Sequence, residues 1–225
     1  MQKEIIDLTQ LLNENITVYP DTLVPTFEVS NTVEKDGFTE LKMTMASHAG
    51  THIDAPSHIL KNAKSLDKFP LDKFTGSAIV IPCQGKNEIT LEYLQTFEDK
   101  ITMVDYVLFY TGWQDKWKTK DYFDDCPVPT REAATWLAGF ILKGVGIDAF
   151  SIDRIIPADI VTEGNLPNHH ILLGKEILLM ENLANLDKLP NHTFTFQCFP
   201  LKIENADGSP VRAVAMINRK PADKR

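Results

Sequence analysis

Runs in which branched and aromatic residues alternate with polar ones mark the early part of the chain. Residues 27–33 and 38–45 carry this period-two pattern and predict two strands, with Asp36-Gly37 between them as a hairpin turn. Before them, residues 5–11 predict a strand leading into a short polar-ended helix, and Tyr19-Pro20-Asp21 predicts a turn. Further on the pattern changes. Residues 77–82 and 106–110 are short apolar runs bounded by Gly, Pro or Asp, which is how strands covered on both faces read. Residues 130–143 predict a helix that Thr130 caps, with Glu132 in its first turn, Ala134, Leu137, Ala138 and Ile141 at helical spacing, and Gly144 as the stop. Residues 146–150, 177–180, 193–199 and 211–217 predict later strands, and His169 opens a short helical turn that ends at Gly174.

Strands on both sides of helices indicate an α/β fold with a mixed sheet. No repeat, low-complexity tract or Ser/Gly-rich linker interrupts the pattern, so residues 1–225 are expected to form a single domain.

Composition narrows the function classes. Hydrophobic residues make up 43% and charged residues 24%, values that exclude a disordered or collagen-like chain. The formal net charge of -8, with no long Lys/Arg run, opposes a phosphate backbone, so nucleic acid is not an expected partner. No stretch approaches the ~20 apolar residues that span a bilayer, and the first residues lack a basic-then-apolar leader. A cytoplasmic location with no membrane partner is therefore expected. Cys83, Cys126 and Cys198 are odd in number and far apart, which points to reduced structural thiols rather than a disulfide or thiolate-metal framework.

The six histidines are unevenly placed. Three fall in the segment His48-Ala-Gly-Thr-His52-Ile-Asp54-Ala-Pro-Ser-His58. Imidazole nitrogen and carboxylate oxygen suit zinc, manganese and iron, and three or four such atoms must converge about 2.0–2.2 Å from one ion. Positions 48, 52, 54 and 58 share parity, so an extended segment would project all four to one side. A helix would instead pair His48 with His52, but Gly50 and Pro56 weaken that alternative. Either geometry lets His48 and His52 share an ion with Asp54. Isolated histidines on polar loops are usually solvated; three with an aspartate in one short segment indicate ligands.

This segment resembles the hallmark His-x-Gly-Thr-His-x-Asp-x-Pro-x-His of the cyclase family of metal-dependent hydrolases, which includes arylformamidases and isatin hydrolase. The resemblance extends over nearly the whole chain, through Val18-Tyr19-Pro20, Tyr110-Thr111-Gly112-Trp113, residues 146–153, residues 169–186, Pro200-Leu201-Lys202 and residues 206–213. It implies a swivelling β/β/α-like domain, a divalent cofactor (zinc, with manganese as the alternative, one or two ions per subunit), and a homodimer or larger even homo-oligomer acting on a small molecule. By the same resemblance His48, His52 and Asp54 hold a first ion, Asp54 and Glu181 bridge to a second that also takes His169, and His58 is the catalytic acid/base. Tyr19 matches an aromatic position that packs on substrate, although Pro20 is followed by Asp21-Thr22 where arylformamidases commonly have Pro-Gly-Asp.

The residues themselves support Glu181, because a carboxylate ending an apolar strand is costly unless paired or on a metal. They leave His169 and His170 equal, and only the family's twelve-residue step from His to Glu selects His169. Glu163 and Glu176 read as solvated, His192 as structural, and Trp113, Trp117 and Trp136 as core or interface residues. The function so implied is hydrolysis of an amide-type C–N bond, with an N-formyl or cyclic amide as substrate. The same apparatus would serve a lactonase or cyclase-type reaction, and a metal-stabilised binding protein without turnover is the non-enzymatic alternative.

Overall fold

The computed structural model describes residues 2–18, 22–154 and 166–219. The expected turn at residues 19–21, with Tyr19, and Glu163 lie outside the described residues.

Eleven strands follow in chain order among the described residues: β1 (Gln2–Asp7), β2 (Thr26–Asn31), β3 (Glu40–Thr44), β4 (His52–Asp54), β5 (Thr75–Pro82), β6 (Tyr106–Tyr110), β7 (Gly144–Ile147), β8 (Leu178–Glu181), β9 (Phe194–Gln197), β10 (Gly208–Pro210) and β11 (Val214–Arg219). Nine form one mixed sheet in the order β1-β11-β9-β5-β6-β7-β8-β4-β10. The central strands β5, β6, β7 and β8 run parallel, and the others add antiparallel on both sides. This is the mixed α/β architecture that the alternation of elements implied.

The apolar runs are central strands because both faces of the sheet are covered. Tyr106, Leu108, Leu178 and Met180 face a core built with Ile6, Ile53, Phe196 and Ile217. Val107, Phe109, Val145, Ile147 and Leu179 face the opposite core, where Leu94, Ile101, Ala133, Leu137, Leu172 and Leu173 come from the helical side. The helices are short: α1 (Val33–Asp36), α2 (Leu91–Gln95), α3 (Glu98–Ile101), α4 (Arg131–Leu137) and α5 (Pro167–Leu173).

Three expectations are corrected. The helix expected over 130–143 is α4, which is capped by Thr130 as foreseen but stops at Leu137. The chain turns at Gly139, Ile141 is 99% exposed instead of facing the core, and Gly144 opens β7 rather than ending a helix. No helix follows β1: Asn13 accepts from the Asn15 backbone N–H through Oδ1 and from Ile16 through its carbonyl, which folds a turn there. The link between β2 and β3 is not a tight hairpin. It contains α1, which ends where Gly37 takes the left-handed conformation, with the Asp36 carboxylate accepting from the Thr32 N–H.

β2 and β3 form a separate two-stranded ribbon whose register pairs Phe27 with Met43 and Val29 with Leu41 on one face, and Glu28 with Lys42 on the other. Val29, Leu41 and Met43 are exposed. No helix of the described residues is long and apolar enough to cross a membrane.

Candidate metal centre

The segment 48–58 is neither one extended strand nor a helix. Residues 46–50 turn, with Gly50 in the left-handed region at φ 64°, where an added Cβ would lie 2.6 Å from Leu12 Cδ2. β4 is then three residues long, and Pro56 starts a 3-10 turn that ends at His58. Shared parity therefore places only His52 and Asp54 on one strand face. His48 and His58 reach the same space because the chain turns before and after β4. Their rings lie 4.0 Å apart.

Sheet register supplies the next member. In the antiparallel pair β4–β8, His52 stands directly opposite Glu181, so both side chains leave the same face of the sheet, the face on which α5 packs. Proline at the start of α5 and the two core leucines Leu172 and Leu173 seat that helix against β8, and this puts His169 over Glu181. His170 is exposed, whereas His169 is buried beside Glu181.

Thr51 pins the turn from beneath: its hydroxyl donates to the Asn182 carbonyl at 2.6 Å and accepts from the Gln10 N–H at 2.8 Å. Asn182 donates to the Gly50 carbonyl at 2.9 Å, and the Tyr122 hydroxyl lies 2.7 Å from its Oδ1.

Five side chains point at a common centre. His48 Nδ1 lies 2.7 Å from Asp54 Oδ1, and His52 Nε2 lies 3.3 Å from that oxygen and 3.5 Å from Glu181 Oε2. His169 Nε2 lies 3.7 Å from Asp54 Oδ2 and 3.4 Å from Glu181 Oε1. Each imidazole also has an outward partner on its other nitrogen: Asp207 at 3.0 Å for His48, the Gly50 carbonyl at 2.8 Å for His52, and Asp153 at 2.7 Å for His169. An outward acceptor takes a hydrogen bond from the ring N–H, which keeps the proton on that nitrogen and leaves the inward nitrogen's lone pair free, as a metal ligand needs. The donor set thus fits a divalent ion. Among the described residues the atoms close enough to share one fall into two triads, His48, Asp54 and His58, and His52, Asp54 and Glu181, with Asp54 common to both.

The charges follow from this crowding. Burial opposes ionisation of Asp54, but His52, His48 and His169 outweigh it and hold the carboxyl well below its ordinary range. Glu181, likewise buried, is brought down to about 2 by hydrogen bonds from His169 and His52. Burial disfavours the charged form of His48, yet Asp54 and Asp207 raise it to about 9. His169 is raised well above the ordinary value against the same burial, through Asp153, Asp54 and Glu181. His58 moves the other way: burial lowers it, and nearby His48 and His169 add to that against Asp54 and Glu181.

His48, His52, His58, His169 and Glu181 line a cleft of about 410 Å³ whose walls include Val18, Leu23, Ala46, Ala49, Phe150 and Leu166, with Arg154 at one side. Residues that sequence reasoning passed over also contribute here. Asp153 accepts from the Asn168 and His169 backbone N–H groups and from the His169 ring, and the Ile152 N–H donates to Glu181 at 3.0 Å. Only their place in the resembling blocks 146–153 and 206–213 marked Asp153 and Asp207. Glu176, by contrast, is exposed and pairs with Lys64, His192 is exposed in a bend, and Trp113 and Trp136 pack on the helical-side core.

The chain belongs to the cyclase family: the family model described as putative cyclase matches residues 6–154. A kynurenine formamidase of Bacillus cytotoxicus is 32% identical over 212 residues, which cover 94% of this chain and 96% of the relative. An isatin hydrolase bound to the product analogue thioisatinate superposes with a TM-score of 0.84 at 25% identity, covering 96% of this chain and 93% of that one. A structure described as a potential metal-dependent hydrolase with cyclase activity gives a TM-score of 0.74 at 25% identity, covering 98% and 100%.

Proposed function

We propose that this protein is a metal-dependent hydrolase of amide C–N bonds that acts on a small aromatic substrate, an N-formylated arylamine or a cyclic aryl amide. The observation that carries this reading is the convergence of three inward imidazole nitrogens and two carboxylates beside an apolar-walled cleft. The family membership and the whole-length likeness to kynurenine formamidase and isatin hydrolase support the bond type.

His48, His52 and Asp54 would hold one ion, and Asp54, His169 and Glu181 a second; zinc is the proposed metal, with manganese as the alternative. When bound, such an ion polarises the scissile carbonyl and eases deprotonation of a water. The protein's own part is proton transfer and placement. His58 is neutral at pH 7 because its pKa lies below the ordinary value, so it can take the proton of the attacking water and return it to the leaving nitrogen. The apolar walls hold an aromatic ring and exclude water. Tyr19 is proposed to contact that ring, a reading supported by Val18 and Thr22 on either side of residues 19–21, both of which line the cleft.

We further propose a cytoplasmic homodimer or larger even assembly. The apolar face of the β2–β3 ribbon supports self-association, and the three unpaired cysteines suit a reducing compartment. The test of function is a hydrolysis screen of zinc- and manganese-reconstituted protein against formylated anilines, N-formylkynurenine, isatin and aryl lactones. Turnover of formamides or isatin is the expected result. Turnover of lactones alone would replace the amidase reading.

A further inference from the structure

Asp207 lies outside the proposed ligand set, yet it touches two of the histidines that carry the chemistry. Its Oδ2 is 3.0 Å from His48 Nε2 and 3.5 Å from His58 Nδ1, and the Ser47 hydroxyl donates to Oδ1 at 3.0 Å. The backbone holds it there. The Asp207 carbonyl accepts from the Ala55 N–H at 2.8 Å, and the next residue, Gly208, pairs with Asp54 where β10 joins β4. The approach is so close that a Cβ at Gly208 would sit 2.5 Å from His48 Cε1. Asp207 thus meets His48 Nε2 and His58 Nδ1 from the position just before β10, a strand in register with β4.

We propose that Asp207 is a positioning residue that sets the tautomers of His48 and His58 together. A carboxylate only accepts, so a neutral imidazole beside it keeps its N–H on the nitrogen that faces the carboxylate. Both nitrogens of His48 face a carboxylate, Nδ1 toward Asp54 and Nε2 toward Asp207, so with an ion on the Asp54 side Nδ1 would give its lone pair to the ion while Asp207 keeps the N–H on Nε2. For His58 the nitrogen facing Asp207 is Nδ1, at an ion-pair distance of 3.5 Å rather than in a hydrogen bond, and an N–H kept there would make Nε2 the basic nitrogen of the cleft. One oxygen therefore links a metal ligand to the proton carrier, and changing it alters ion affinity and proton transfer at once. The second half of this inference rests on the role proposed above for His58; the first half does not.

The test uses Asp207→Asn and Asp207→Glu in the full-length protein. Asn is of equal size but also donates a hydrogen bond, so it can hold either tautomer. By competition with a chromophoric chelator, the zinc dissociation constant is expected to weaken roughly 10–100-fold in the Asn variant and to recover largely in the Glu variant. Nitrogen-15 NMR of the histidine side chains of the zinc-loaded protein, at alkaline pH, is expected to show His58 protonated on Nδ1 in the wild type and redistributed in Asp207→Asn. With zinc saturating, the Asn variant should lose kcat while KM holds, and should add no further loss to His58→Ala. Wild-type zinc affinity together with an unchanged His58 tautomer would overturn the proposal, as would a wild-type His58 protonated on Nε2. If the substrate screen shows no turnover at all, the hydrolase reading falls, while the zinc and NMR measurements still decide what Asp207 does.

Discussion

His48 and His58 lie with ring centroids 4.0 Å apart and ring planes tilted by 37°, and their surroundings shift their protonation in opposite directions. His48 lies between Asp54 and Asp207 and keeps its proton up to about 9, whereas His58 is buried beside His48 and His169 and gives its proton up below the ordinary value. The difference divides the work. His58→Ala is expected to lower kcat by roughly 10²–10⁴-fold, the usual worth of acid–base assistance, while metal content by elemental analysis stays near wild type. Parallel loss of metal would make His58 a ligand instead, as its membership of the triad with His48 and Asp54 allows. Glu181→Gln keeps the size but removes the charge facing His52 and His169, so it should lower metal stoichiometry and activity together. The raised value of His48 has a further consequence. An ion that binds this ring must displace its proton, so below about 9 affinity rises with pH, by about tenfold per unit for each proton released. Chelator competition over the neutral range checks the sign; affinity independent of pH would mean that His48 is not a ligand.

At the scale of elements, the sequence was legible where a physical demand is local. Continuous apolar runs identified β5, β6 and β8 because a central strand needs apolar residues on both faces, and Thr130 marked the start of α4 because its side chain accepts from the Ala133 N–H. The end of α4 was not legible: helical spacing continues to Ile141, but no surface waits there to bury it, and the chain turns away at Gly139. The His48–His58 segment marked a candidate ligand cluster and hid its shape. Parity suggested one face of a strand, whereas the shape depends on Gly50 being left-handed against Leu12 and on Thr51 being held by Gln10 and Asn182, contacts that come from distant parts of the chain. The outward partners Asp153 and Asp207 could not be found by any local pattern, because each meets its histidine only after the sheet has formed. Gly50→Ala isolates the turn. An alanine held at φ 64° costs about 1–3 kcal/mol, and its methyl must also push Leu12 aside. Urea unfolding with chelator present is expected to show that loss in the midpoint with an unchanged slope; an unaffected midpoint would mean the turn readily rearranges.

Across the whole molecule, the ribbon and the main sheet meet different fates. The sheet is covered on both faces, while the ribbon leaves Val29, Leu41 and Met43 exposed, and a two-stranded ribbon alone is marginal in water. Leu41→Lys should shift the assembly toward the monomer in sedimentation velocity and leave helix and strand content by circular dichroism unchanged; an unaltered sedimentation coefficient would place the subunit contact elsewhere. The order of the sheet also bears on how the chain is made. β1 occupies one edge and has β11 as its neighbour, with Gln2 opposite Arg219. During translation, then, β1 emerges from the ribosome long before the strand that receives it has been synthesised, and the apolar side chains of Ile6 and Leu8 wait without their core partners. Growing chains stalled before β11 are therefore expected to bind trigger-type chaperones and to be cut readily around β1, and synthesis of β11 should end both behaviours.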